Sequence, residues 1–94
     1  MELDIKQYKE QVALGEALKR LEAVPEFNQI ITEGYCQANS DALVASLSYM
    51  ANEEIRNKQF DKLLSISHFR QYIRMVRDTA ERAREALDEL EGAE

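Results

Sequence analysis

Few residues of this chain have the types and spacing that chemistry needs. His68 is its single histidine and Cys36 its single cysteine. One chain therefore cannot build a zinc or similar soft-metal site from histidine and cysteine ligands. A di-iron centre in a helical bundle draws on Glu-x-x-His pairs, and the residue three before His68 is Ser65. Ser67 adjoins His68, but neighbours on a helix point to different sides, so they do not make a nucleophile–base pair. Gly15, Gly34 and Gly92 are too scattered for a phosphate loop or a dinucleotide fingerprint. The carboxylates fall at the spacing of a solvated helix face. The reading is a non-enzymatic protein with no catalytic, cofactor-binding or metal-binding residue and no cofactor. His68 reads as a structural or surface residue at the start of the last helix, and Cys36 as a small buried one. A lone cysteine forms no intrachain disulfide, which suits a reducing compartment.

Binding chemistry is better represented. Arg70, Arg77 and Arg84 recur every seven residues, with Arg74 at helical neighbour spacing from the first two. Guanidinium groups grip carboxylate and phosphate bidentately. This ladder (Arg70, Arg74, Arg77, Arg84) is thus a candidate for interhelical ion pairs with Glu10, Glu16 or Glu22 or with a second copy. Ion pairing is the favoured reading, because charges at e usually set partner choice, and a site for a small anionic ligand is the alternative. Tyr8, Tyr35, Tyr49 and Tyr72 could stack a ligand base beside it, though such residues more often sit at a core boundary with a wet hydroxyl.

The ladder rides on the most regular pattern in the chain. Ile66, Phe69, Ile73, Val76, Ala80, Ala83, Leu87 and Leu90 are spaced alternately three and four apart, an unbroken heptad seam. With Ile66 and Ile73 at position a, Arg70, Arg77 and Arg84 all fall at e. The seam predicts a long helix from about Ser67 to Glu91, capped by Ser65 or Ser67. Its waist at Ala80 and Ala83 buries little area and stabilises less than leucine would. The expectation is that Phe69, Ile73, Val76, Ala80, Ala83, Leu87 and Leu90 form an oligomer interface, with the first helix covering only part of the rod.

The rest of the chain also reads as helix. Ile5, Tyr8, Leu14, Leu18 and Leu21, broadened by Val12 and Ala17, give the first helix its stripe, and Gly15 permits close approach of another helix. Pro25 starts a short second helix carrying Phe27, Ile30 and Ile31, and Gly34 weakens its end. Asn39-Ser40-Asp41 predicts a break and a cap for a third helix bearing Leu43, Val44, Leu47, Met50, Ala51 and Ile55. That helix would end between Asn57 and Asp61. The fold class is all-α: a single helical domain, 1–94, a small bundle with a long heptad-patterned C-terminal helix, its acidic end 91–94 frayed, and oligomeric.

Composition agrees. The 94 residues hold 45% hydrophobic and 32% charged side chains with 3 glycines, 1 proline and no tryptophan, against a turn-rich β fold. Charge is segregated. Residues 1–55 carry 4 basic and 10 acidic residues, 56–84 carry 8 and 3, and 85–94 carry 5 acidic residues alone, for a total of −6. An acidic protein is a poor partner for nucleic acid or an anionic membrane. No signal peptide or membrane-length apolar run is visible, and the chain reads as complete and cytosolic.

The stretches Leu14-Gly15-Glu16-Ala17-Leu18-Lys19-Arg20-Leu21-Glu22, Pro25-Glu26-Phe27 and Ile30-Ile31-Thr32-Glu33-Gly34-Tyr35 resemble small helical proteins encoded by tailed bacteriophages. So does Leu64-Ser65-Ile66-Ser67-His68-Phe69 with the Arg/Glu/Ala-rich helix after it. The resemblance covers most of the chain and implies a viral accessory protein, located in the virion or the host cytoplasm. The expected function is self-association and contact with a phage or host protein, in virion structure or assembly. Two alternatives are an inhibitor of a host protein and an oligomeric sponge that binds an anionic nucleotide through the arginine ladder.

Overall fold

The computed structural model describes residues 2–47 and 52–92, and the fold is all-α. Helix α1 spans Glu2–Glu22. Val24 then adopts extended geometry (φ −81°, ψ 117°), as a residue before proline should, and Pro25 opens α2, Pro25–Phe27. The chain passes without a break into a π-helical segment, Asn28–Ala38, and then α3, Asn39–Leu47. Helix α4 occupies Glu53–Gly92.

Two boundaries differ from expectation. Asn39-Ser40-Asp41 is not a break: Asn39 is helical (φ −66°, ψ −40°), and its N–H donates to the carbonyl of Gly34, five residues back. The residues suited to capping instead mark a change from five-residue to four-residue hydrogen bonding, and Gly34 lies inside the π-helical stretch. A Cβ at Gly34 would stand 3.0 Å from the carbonyl oxygen of Gln29, so the missing side chain accommodates this wider turn. The last helix also begins well before Ser67. Asn52 caps it, its Oδ1 accepting the N–H of Glu54 at 2.8 Å and of Ile55 at 3.4 Å. Ser65 is interior and donates its hydroxyl to the Asp61 carbonyl at 3.1 Å, the back-bond of a mid-helix serine. Ile55 accordingly belongs to α4, not α3, while Tyr49, Met50 and Ala51 lie outside the described residues. Glu91 and Gly92 remain helical.

The chain divides into two compact units. In Ala23–Gln71, Cys36, Leu43 and Ile66 are buried together, with Ile31, Leu63 and Phe69 packed against them. The ring of Tyr35 meets Phe69 edge to face, centroids 5.9 Å apart. Ile30 and Val44, each one residue away from the core-facing Ile31 and Leu43, are left exposed.

The other unit joins α1 to the part of α4 from Tyr72 onward. Leu18, Val76, Ala80 and Ala83 are its buried residues. Opposed contacts, Glu22 with Arg77 and Glu16 with Arg84, set the two helices antiparallel. Gly15 abuts Ala80 so closely that a Cβ on the glycine would collide with the alanine methyl. The contact line of α1 is consequently Tyr8, Gly15, Leu18 and Glu22. The expected stripe is corrected at Leu14 and Leu21, which sit one position round the helix and are exposed.

Candidate functional site

The heptad seam holds as a packing line. Ile66, Val76, Ala80 and Ala83 are buried, and Phe69, Ile73, Leu87 and Leu90 are half-buried. That burial arises within one chain. The alanine waist assigned above to an oligomer interface is already covered, Ala83 being only 2% exposed. The physical reason is Gly15: where α4 carries its smallest side chains, α1 carries none, so the backbones close on each other and the waist needs no second copy. Leu90 near the far end shares a hollow with Ala86 and Glu89 of α4 and with Asp4 and Tyr8 of α1.

The arginine flank is an ion-pair and backbone-binding flank. Arg77 donates from Nη2 to both carboxylate oxygens of Glu22, at 2.9 and 2.8 Å. Arg84 pairs with Glu16 one heptad further along. Arg70 takes a different partner: its Nη2 donates to the main-chain carbonyl of Cys36 at 2.7 Å and lies 3.5 Å from Gln37 Oε1. Cys36 lies near the end of the π-helical segment, where hydrogen-bond register shortens. The guanidinium supplies that carbonyl with a charged donor. Arg74 stands at heptad position b, exposed, and forms no ion pair among the described residues. The four arginines therefore do not converge on one point. Glu10, proposed as a further partner, is exposed and pairs with none of them.

The remaining candidates are dispersed. His68 is exposed inside α4 rather than at its start, beside an exposed Ser67, and Cys36 is buried. Tyr8 is half-buried and Tyr72 exposed. Among the described residues, no three His, Cys, Asp or Glu side chains are placed to hold a metal, and no helix is long and apolar enough to cross a membrane.

What the sequence reading missed is the opposite flank. Beside the a/d seam of α4, position e carries the arginines, whereas position g carries Tyr72, Thr79 and Ala86, with no charge. On α1, with Tyr8, Gly15 and Glu22 at a, the g positions are Gln7, Leu14 and Leu21. Helices packed antiparallel bring matching flanks to the same side. The hairpin thus has one side laced by Glu16–Arg84 and Glu22–Arg77 and another that is apolar. Leu14, Leu21, Tyr72 and Met75 on the apolar side are each about half exposed. The signal was available: Leu14, Ala17 and Leu21 continue a second alternation of threes and fours beside the first.

No protein-family model matches this chain, and neither a curated protein nor a solved structure is similar to it.

Proposed function

We propose that this protein is a non-enzymatic helical interaction module that works by self-association and by contact with another protein. The observation that supports it most is the uncharged side of the α1/α4 hairpin, where Leu14, Leu21, Tyr72 and Met75 stand open to water. Apolar surface grouped on one side of a small helical hairpin is the usual mark of a protein contact. Helix bundles commonly bury such a side against further helices. The resemblance to small helical proteins of tailed bacteriophages supplies the setting of the proposal: virion structure or assembly, with a phage or host protein as the second partner.

Light scattering of the purified full-length chain across a hundredfold concentration range tests the self-association. A mass above that of one chain, rising with concentration, is the expected result. A monomer throughout that range overturns it. Mass spectrometry of purified particles and their precursors tests the setting, and absence of the chain from both would remove the assembly role.

A further inference from the structure

We propose that the apolar side of the α1/α4 hairpin seats a second copy of this chain face to face, α4 on α4 and α1 on α1, each pair antiparallel about a twofold axis that passes Thr79. The proposal deepens the self-association reading and rests on it. It uses the g and c positions of both helices and leaves the a/d seam to the contacts the chain makes within itself.

The patterns on the two helices share one centre. On α1, Leu14 and Leu21 are exposed and stand one heptad apart. A twofold axis midway between them, beside Ala17 and Leu18, sets Leu14 against Leu21 of the second copy twice over. On α4, Tyr72 and Ala86 stand one heptad to either side of Thr79. An axis at Thr79 lays each exposed Tyr72 ring over the small, half-buried Ala86 of the second copy, and sets Met75 on the stretch between Arg82 and Ala86. One axis can serve both helices only if the two centres lie at one height. They do: Glu16 and Glu22 meet Arg84 and Arg77, and Gly15 abuts Ala80, so the midpoint between Leu14 and Leu21 stands within a helical turn of Thr79. All four exposed apolar residues are thereby covered.

Charge selects this arrangement. Asp78 and Arg82 edge the face on its outer side, are both exposed, and form no ion pair among the described residues. Their midpoint, Ala80, again falls beside Thr79. Antiparallel α4 helices therefore set Arg82 against Asp78 of the second copy on both sides of the axis, whereas a partner surface of a single sign would meet like charge at one of the two. The other way to join two hairpins lays α4 on α1 of the second copy. In the register in which Glu22 meets Arg77, that would bring the exposed Glu89 to the exposed Glu10, like charge on like.

The test uses the full-length chain, with mass read by sedimentation equilibrium and folding checked by circular dichroism. The wild type is expected to be a dimer. Asp78→Arg and Arg82→Asp should each weaken dimerisation about tenfold or more, because each single change turns both ion pairs into repulsions. The double variant Asp78→Arg with Arg82→Asp should return it to near the wild-type level. Leu14→Glu, which sets a carboxylate against Leu21 of the second copy, should leave a folded monomer. In a Cys36→Ala background, a short bismaleimide should join Thr79→Cys, on the axis, into a covalent dimer far faster than Lys19→Cys on the charged flank. A monomeric wild type overturns both this interface and the self-association reading. An oligomer that tolerates Leu14→Glu, or that joins Thr79→Cys no faster than Lys19→Cys, overturns this interface and leaves self-association standing. A trimer, or single reversals that weaken the dimer without rescue by the double variant, contradicts the antiparallel twofold pairing.

Discussion

Gly15 of α1 stands directly against the methyl of Ala80 of α4: a Cβ on Gly15 would lie 3.8 Å from the Cα of Ala80 and closer still to its methyl. A glycine in mid-helix costs about 1 kcal/mol relative to alanine. Here the cost is offset by an approach that covers the thinnest layer of the C-terminal seam without a second molecule.

Gly15→Ala therefore has an opposed pair of effects. Helix propensity alone would stabilise the variant by about 1 kcal/mol. The overpacking against Ala80, where a methyl rather than a flexible side chain must give way, costs about 1–3 kcal/mol. A net destabilisation is expected, read as a lower urea midpoint. A raised midpoint would mean that α1 and α4 stand further apart than described.

Ala83→Glu should unfold the hairpin rather than merely dissociate an oligomer. Ala83 is 2% exposed within one chain, and an unpaired carboxylate there has neither solvent nor partner. Loss of helical circular dichroism at low protein concentration is the expected readout. A folded Ala83→Glu monomer would show the position open to water.

Ile66→Ala removes the most buried aliphatic side chain of the Ala23–Gln71 unit, where Ile66 meets Cys36 and Leu43. Deletions of this kind cost about 2–5 kcal/mol, a large share of the stability of so small a protein. Phe69→Ala should cost about 3 kcal/mol, the low end for an aromatic, since Phe69 is half-buried. Urea unfolding that ranks Phe69→Ala far above Ile66→Ala would contradict this core.

The ion pair of Arg77 with Glu22 should contribute little. Its side chains are 52% and 37% exposed, and a double-mutant cycle should return a coupling of about 0.2–1 kcal/mol that fades with added salt. Arg70→Met should cost more, about 1–2 kcal/mol, since a charged donor is lost from the Cys36 carbonyl. Arg70→Lys should recover part of it. Equal costs for Arg70→Met and Arg77→Met in thermal melts would make the backbone contact no different from a surface pair.

How much of this was legible in the sequence depends on which interaction decides each feature. The helical class, the heptad seam and Pro25 are written in spacing and in proline's fixed geometry, and these carry over. The close approach at Gly15 follows from a missing side chain. Ser65 and Ser67 offer cap chemistry inside α4, while Asn52-Glu53-Glu54, a short acceptor followed by first-turn acids, carries the stronger signal for its start. The π-helical segment has no comparable mark: Gly34 within it and the contact of Arg70 with the Cys36 carbonyl, thirty-four residues apart in sequence, carry no local pattern that announces it. Ala80 and Ala83 are covered by α1 of the same chain, which their type alone does not tell: small residues signal close packing but not whose backbone approaches. Leu14 and Leu21 were read into the core for the complementary reason, that periodicity alone does not separate the contact line from a flank one residue round the helix.

Helix α1 closes on α4 within one chain, with Glu22 against Arg77, and covers the alanine layer of the seam without a second molecule. Cross-linking of paired thiols measures this. In a Cys36→Ala background, Glu22→Cys with Arg77→Cys should be joined by a short bismaleimide, which spans the gap left by two long side chains, into a product with the mass of one chain at every protein concentration. Covalent dimers as the main cross-linked product, increasing with concentration, would mean that α1 pairs with α4 of another molecule.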